Sequence, residues 1–216
     1  MTLEYELYWS FRSPYSYMLM NRLAAFERKF DVTGRIRPVY PLAVRTPEFF
    51  GSRDPLWFSY FQIDIRREAQ FLGLPIRWPV PDPVYMDKVT RTYPKEQPYI
   101  HRLTRMGVIA AELGLGLQYL DEVSRVIWSG QVDNWHQGSH LDDAARRAGL
   151  DPLMLNAEVE RDASRLHAVV EASQVAQRDA GHYGVPLLVF NGEPFFGQDR
   201  FDQFAWRMQQ VGVRRR

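Results

Sequence analysis

The pattern of apolar and polar positions sorts the chain into two ends of mixed strand and helix and a long helical middle. Residues 3–11 are rich in aromatic and aliphatic side chains and predict a strand. Residues 14–30 carry apolar side chains at helical spacing, with Tyr17, Met20, Leu23, Ala24 and Phe26 able to share a face. Residues 35–41, with Ile36, Val39 and Tyr40, predict a second strand, and the order strand–helix–strand predicts a right-handed parallel crossover. From 46 to 98 the character changes. A helical piece over 55–72 is followed by Pro75, Pro79, Pro81 and Pro83, which fit poorly inside a helix or a sheet.

From 99 to 182 the pattern is helical. Ile100, Leu103, Val108, Ile109, Ala111 and Leu113 define one segment, broken near Gly114 and Gly116; residues 120–127 define a second and 139–148 a third. Ser139 is a candidate N-cap with Asp142 as a capping-box partner, and Gly149 suits the C-terminal stop. Asp151-Pro152 opens the next helix, because aspartate caps well and proline fits the first turn. Strands return over 185–190 and 194–196 around Asn191-Gly192, a pair suited to a two-residue type I′ turn, and 199–211 predicts a closing helix. One small α/β domain interrupted by a helical insertion accounts for this order. Residues 1–45 and 183–216 form the discontinuous domain and 46–182 the mainly α-helical insertion.

Composition narrows the chemistry. Hydrophobic residues make up 45% and charged residues 25%, ordinary for a globular protein. A formal net charge of +1 supplies no field to draw nucleic acid or an anionic membrane surface, and the basic residues 214–216 read as a frayed terminus. No signal-peptide pattern and no apolar run near the ~20 residues that span a bilayer is visible, which predicts a cytoplasmic protein. Cysteine is absent, so the protein has no disulfides, no thiolate metal site and no thiol–disulfide chemistry of its own. His136 and His140, with Asp142 and Asp143 nearby, have metal-compatible spacing, but the intervening Gly138 argues against a shared helical face, and no metal site is assigned. Asp87, Lys88, Arg91 and Arg105 read as surface charge. The aromatic cluster Phe49, Phe50, Trp57, Phe58, Tyr60 and Phe61 fits either a core or the wall of a pocket for a planar apolar substrate.

Two landmarks carry the candidate chemistry. Ser13-Pro14 sits where the first strand meets the first helix, and Gly184-Val185-Pro186 leads into a later strand. A helix N-terminus favours an anion, and the Ser13 hydroxyl stands there to donate to one. Any sulfur handled at this place must arrive on a ligand. His182 and Tyr183 immediately precede the second landmark and are candidates for the pocket lining.

Residues 8–17, Tyr-Trp-Ser-Phe-Arg-Ser-Pro-Tyr-Ser-Tyr, resemble the N-terminal signature of 2-hydroxychromene-2-carboxylate isomerases and kappa-class glutathione transferases. Residues 184–192 followed by Phe196-Gly197-Gln198-Asp199-Arg200 resemble the second signature. Tyr60, Asp64 and Arg67 ahead of Gly73-Leu74-Pro75, together with Gly149-Leu150-Asp151, are weaker matches. The resemblance implies a DsbA-like, thioredoxin-like α/β fold with a large helical insertion between its β-α-β and β-β-α halves, working as a homodimer on a small molecule. It implies glutathione as cofactor, with Ser13 holding the thiolate at lowered pKa. It also implies a cis Val185-Pro186 bond, with the Val185 backbone pairing the tripeptide. Asp199 would meet the γ-glutamyl ammonium while Gln198 and helix amides take its carboxylate.

The family's Gly-Asn-Pro-like loop is replaced here by Val44-Arg45-Thr46-Pro47, and Trp57 stands where the family has a lysine. Arg45 or Arg53 is the stand-in cation. Trp57, Tyr60 and His182 are assigned to the substrate pocket. The implied activity is isomerisation of a conjugated aromatic-derived carboxylate. Alternatives are a kappa-like transferase and a non-catalytic thioredoxin-fold binding protein with a degenerate glutathione site.

Overall fold

The computed structural model describes residues 2–51, 53–87, 89–90 and 92–216, so Lys88 and Arg91 lie outside the described residues. The chain opens with β1 (Leu3–Trp9), α1 (Pro14–Lys29) and β2 (Val32–Pro38). β1 and β2 pair in parallel from Leu3 opposite Val32 to Trp9 opposite Pro38, with α1 as the crossover. β1 stops two residues short of the expected strand. The Ser13 N–H donates to the Ser10 carbonyl at 3.0 Å and bends residues 10–13 out of the ladder, although Phe11 stays buried. β2 ends at Pro38 rather than 41 for the same reason: its partner has turned away, and one bond from the Val39 N–H to the Trp9 carbonyl remains, at 2.8 Å. Gly34 gives the Tyr5 ring its space, since a Cβ there would stand 2.6 Å from the ring.

The middle of the chain holds two short helices that the apolar pattern did not announce, α2 (Leu42–Arg45) and α3 (Glu48–Gly51), then α4 (Pro55–Phe71). Asp54 caps α4 by accepting from the Leu56 N–H at 2.8 Å. Next come α5 (Ile100–Glu112), α6 (Gly116–Trp128), α7 (His140–Arg147), α8 (Pro152–Arg161) and α9 (Ala163–Asp179). Ser139 precedes α7 but makes no side-chain cap; its hydroxyl donates to Asp143 at 2.7 Å, and Asp142 accepts from Asn156 instead of closing a capping box. Gly149, at φ +86°, stops α7, and Asp151 caps α8 through the Leu153 N–H at 2.9 Å. The break between α8 and α9 at Asp162 has no glycine or proline to mark it.

The chain closes with β3 (Leu187–Phe190), β4 (Glu193–Phe196), a 3₁₀ turn over Gln198–Arg200 and α10 (Phe201–Gln210). Asn191 and Gly192 both take positive φ, 49° and 79°, as a type I′ hairpin requires. The four-stranded sheet runs β2-β1-β3-β4, with β3 antiparallel to β1 and β4 antiparallel to β3. Pro194 is tolerated because β4 is an edge strand.

This is the thioredoxin-like α/β fold with a helical insertion between its halves. The insertion shares the core of the sheet domain. One buried cluster runs from Leu7 and Trp9 of β1 through Leu19 and Leu23 of α1 to Ile109 of α5, Leu120 of α6 and Val170 of α9. Gly107 and Gly116 let α5 and α6 approach β2 and the end of β1: a Cβ at Gly107 would meet the Phe11 ring at 3.1 Å, and one at Gly116 would meet Ile36 at 3.0 Å. On the opposite face Tyr8, Val39, Leu187 and Val189 pack against Ala176 and Ala180.

Candidate functional site

The first turn of α1 and the loop entering β3 meet at one end of the sheet. Ser13 is the N-cap of α1, in extended conformation, and its Oγ accepts from the Ser16 N–H at 3.2 Å. Pro14 occupies the first helical position and the first turn holds no acidic side chain, so the positive end of the helix is uncompensated locally. The Ser13 hydroxyl donates to the Val185 carbonyl at 3.3 Å, joining the two landmarks across 172 residues. The Val185-Pro186 peptide bond is cis. The Val185 N–H has no hydrogen-bond partner among the described residues.

A cavity of about 440 Å³ opens beside this junction. Ser10, Ser13, Pro14 and Tyr15 form its floor, and Gly184 and Val185 one side. The facing wall comes from α3 and α4 and is almost wholly aromatic. Trp57 stacks on Phe61 with ring centres 5.1 Å apart, and Phe49 and Phe50 meet edge to face at 5.2 Å. Tyr15 ties floor to wall through its hydroxyl, which donates to Asp64 at 2.6 Å; burial and then the Asp64 carboxylate push it above the usual tyrosine range. Asp64 also accepts from Arg67, which in turn donates to the Tyr60 hydroxyl at 3.1 Å and so sets the Tyr60 ring in the wall. Arg12 reaches Asp82 through two bonds of 2.9 Å and lies over Trp78. Burial works against its charge, and the Asp82 carboxylate more than offsets that, holding the guanidinium above its ordinary value.

Of the residues singled out in the sequence, the structure gathers Ser13, Val185, Trp57 and Tyr60 around the cavity and leaves Arg45, His182, Gln198 and Asp199 outside its lining. Arg45 points behind the Gly184 loop. Its guanidinium donates to Gln177 Oε1 at 2.9 Å and to the Tyr183 carbonyl at 2.8 Å, and burial, then the charge of Arg178, bring it down to about 10. Gln177 Nε2 donates to the Gly184 carbonyl at 2.7 Å. Arg45, one of the two expected stand-in cations, is therefore a strut of the loop. His182 is likewise behind the wall: its Nδ1 accepts from the Gly184 N–H at 2.9 Å, and Phe196, stacked on it at 3.8 Å, takes the lining position. Burial lowers the His182 pKa. Gln198 is buried, with Nε2 donating to Glu68 at 2.8 Å and its oxygens accepting from Arg22. Asp199 is exposed and paired with Arg200 at 2.8 Å. Gly197, at φ +99°, turns the chain into the 3₁₀ helix.

Gln177 and the Arg12–Asp82 pair escaped sequence reasoning. A glutamine inside an amphipathic helix carries no mark of burial, and Arg12 and Asp82 are 70 residues apart. His136 packs at a tilt against Tyr99, outside α7, and among the described residues no group of three or more His, Cys, Asp or Glu could hold a metal ion.

Residues 5–209 match the family profile described as DSBA-like thioredoxin domain. No curated protein matches the sequence. Among solved structures, a 2-hydroxychromene-2-carboxylate isomerase superposes with a TM-score of 0.69 at 19% identity, over 97% of this chain and 96% of the other. A probable DsbA oxidoreductase from Streptomyces coelicolor gives 0.67 at 17% identity, over 97% and 89%. The cytosolic disulfide reductase DsbM from Pseudomonas aeruginosa, solved with GSH, gives 0.61 at 15% identity, over 97% and 98%. At these identities the likeness is one of fold. No helix among the described residues is long and apolar enough to cross a membrane.

Proposed function

The chain belongs to the DSBA-like thioredoxin domain family, and from that premise we propose that it is a glutathione-dependent isomerase acting on a conjugated aromatic-derived carboxylate, in the manner of 2-hydroxychromene-2-carboxylate isomerase. The observation that carries the reading is the place of Ser13: a hydroxyl at an uncompensated helix N-terminus, facing the backbone of Val185 over an aromatic cavity, in a chain without cysteine. The residues present fit the thiol end of glutathione. Ser13 offers a donor, and the unpaired Val185 N–H offers an edge for an extended peptide backbone.

Bound glutathione supplies a thiolate that adds to a conjugated double bond, frees rotation about it and leaves again. The chain's part is to hold negative charge at the mouth of α1. The Ser13 hydroxyl turns from the Val185 carbonyl, to which 3.3 Å is a long hydroxyl bond, and donates to the sulfur instead. The α1 amides add their dipole and depress the thiol pKa. Pro186 fixes the edge as the chain enters β3, and Arg45 braces it from behind. Asp199 is assigned the γ-glutamyl ammonium; Gln198 contributes its backbone amide, since Arg22 and Glu68 engage its side chain. Trp57 and Tyr60 form the substrate wall, and His182 backs Phe196. A homodimer in the cytoplasm completes the proposal.

Two observations favour a second reading, a non-catalytic binding protein of the same fold with a degenerate glutathione site. Trp57 stands where the isomerases and kappa-class transferases that the sequence resembles have a lysine, and Arg45 is engaged outside the cavity lining. Calorimetric titration with glutathione separates the two. Binding supports the enzyme, and no heat at millimolar ligand refutes it. If glutathione binds, Ser13→Ala costs the fold only about 1 kcal/mol as a lost cap and shifts ionisation of the bound thiol to higher pH. Unchanged thiol ionisation removes Ser13 from the mechanism. Product analysis then distinguishes an isomer from the conjugate that a kappa-like transferase would release.

A further inference from the structure

Among the described residues, the cavity wall carries one positive charge that is left unpaired. Among the described residues no aspartate or glutamate lines the cavity, and of the two arginines that do, Arg12 is engaged by Asp82 through both ends of its fork. Arg53 is different. Among the described residues its guanidinium has no ion pair and no hydrogen bond, and it lies over the Phe49 ring, 3.9 Å from the centroid. Arginine stacks on rings while keeping its in-plane donors free, and those donors match a carboxylate in two-point geometry. Beside it Phe49, Phe50 and Trp57 form a continuous patch, with ring centres 5.2 to 6.4 Å apart. From the floor, the N-terminus of α1 adds positive potential with no acidic side chain in its first turn. Aromatic walls that present both faces and edges select an aromatic ring system, and a net positive cavity selects an anion.

We propose that Arg53 is the specificity residue of this cavity, receiving the carboxylate of a planar aromatic acid whose rings lie against Phe49, Phe50 and Trp57. This rests on the cavity being the substrate site and names the group that would make it prefer an acid. It needs no thiol, so it is tested apart from glutathione. Calorimetry compares naphthalene carboxylate with the uncharged carboxamide of the same shape, on the wild-type chain and on Arg53→Gln and Arg53→Lys.

The wild-type chain is expected to bind the acid roughly tenfold more tightly than the amide, the lower end for a charge-assisted hydrogen bond. Arg53→Gln abolishes that preference and leaves amide affinity unchanged, while Arg53→Lys retains part of it. Equal binding of acid and amide to the wild-type chain overturns the proposal, as does parallel weakening of both in Arg53→Gln. A variant that loses glutathione but keeps the naphthoate preference overturns it too, because the cation would then serve the tripeptide's carboxylate. Naphthoate preference without glutathione binding supports Arg53 as the receptor and sinks the glutathione reading instead.

Discussion

Replacing Gln177 tests how the loop carrying Val185 is held. The side chain is fully buried, accepts from Arg45 Nη1 at 2.9 Å and donates to the Gly184 carbonyl at 2.7 Å. Gln177→Leu keeps most of the volume and removes both bonds. The amide bond to Gly184 contributes about 1 kcal/mol and the bond from a charged guanidinium roughly 1.5–3, so a loss of about 3 kcal/mol is expected. The cost is real because two partners stay buried without their mate: the Gly184 carbonyl and one end of Arg45, which keeps only the Tyr183 carbonyl.

For a chain of this size about 2–4 °C follows each kcal/mol, so the melting temperature should fall by about 6–12 °C. Urea unfolding should show a lower midpoint with unchanged slope. Combining Gln177→Leu with Arg45→Met should cost clearly less than the sum of the two, because both changes delete one shared bond. A destabilisation under about 0.5 kcal/mol, or a strictly additive pair, would refute the view that Arg45 and Gln177 form one strut.

The remaining expectations concern the same loop and the sheet beneath it. His182 accepts the Gly184 N–H only as neutral imidazole, and burial holds its pKa below the ordinary histidine value. The unfolded chain then binds the proton more readily, so this stability is present above the ordinary histidine pKa and is lost as pH falls through the lower folded value. Urea midpoints measured from neutral pH downward should decline less steeply in His182→Gln than in the wild-type chain; identical slopes would exclude the assignment. Gly34→Ala should destabilise by about 1–3 kcal/mol, an overpacking cost, because the new Cβ would stand 2.6 Å from a buried Tyr5 ring pinned by Glu27. A variant as stable as the wild-type chain in thermal unfolding would contradict that packing.

Local chemistry made much of the fold legible in the sequence. The Asn191-Gly192 turn, the Gly149 stop, the Asp151 cap and the crossover helix behind Ser13-Pro14 all rest on contacts within a few residues, and each formed as expected. Strand ends were less legible, because β1 and β2 stop where the pairing partner leaves and not where the apolar pattern stops. Ser139 shows the same limit. It sits at the expected place before α7, yet its backbone, at φ −98° and ψ 4°, is not the extended one a side-chain cap uses, and its hydroxyl turns to Asp143 instead.

The sequence by itself determined what chemistry is closed to this protein and where an anion-friendly hydroxyl would stand. No cysteine means no thiol of its own, and serine followed by proline before an apolar helical run places a cap. Only the tertiary structure decided which charges face the cavity. Arg45 and Arg53 are equivalent as letters, eight positions apart, but burial against Gln177 and Tyr183 engages the first, while the second lies on an aromatic wall with its donors unpaired among the described residues. Charge availability depends on the partners within a few ångströms, and those come from distant parts of the chain.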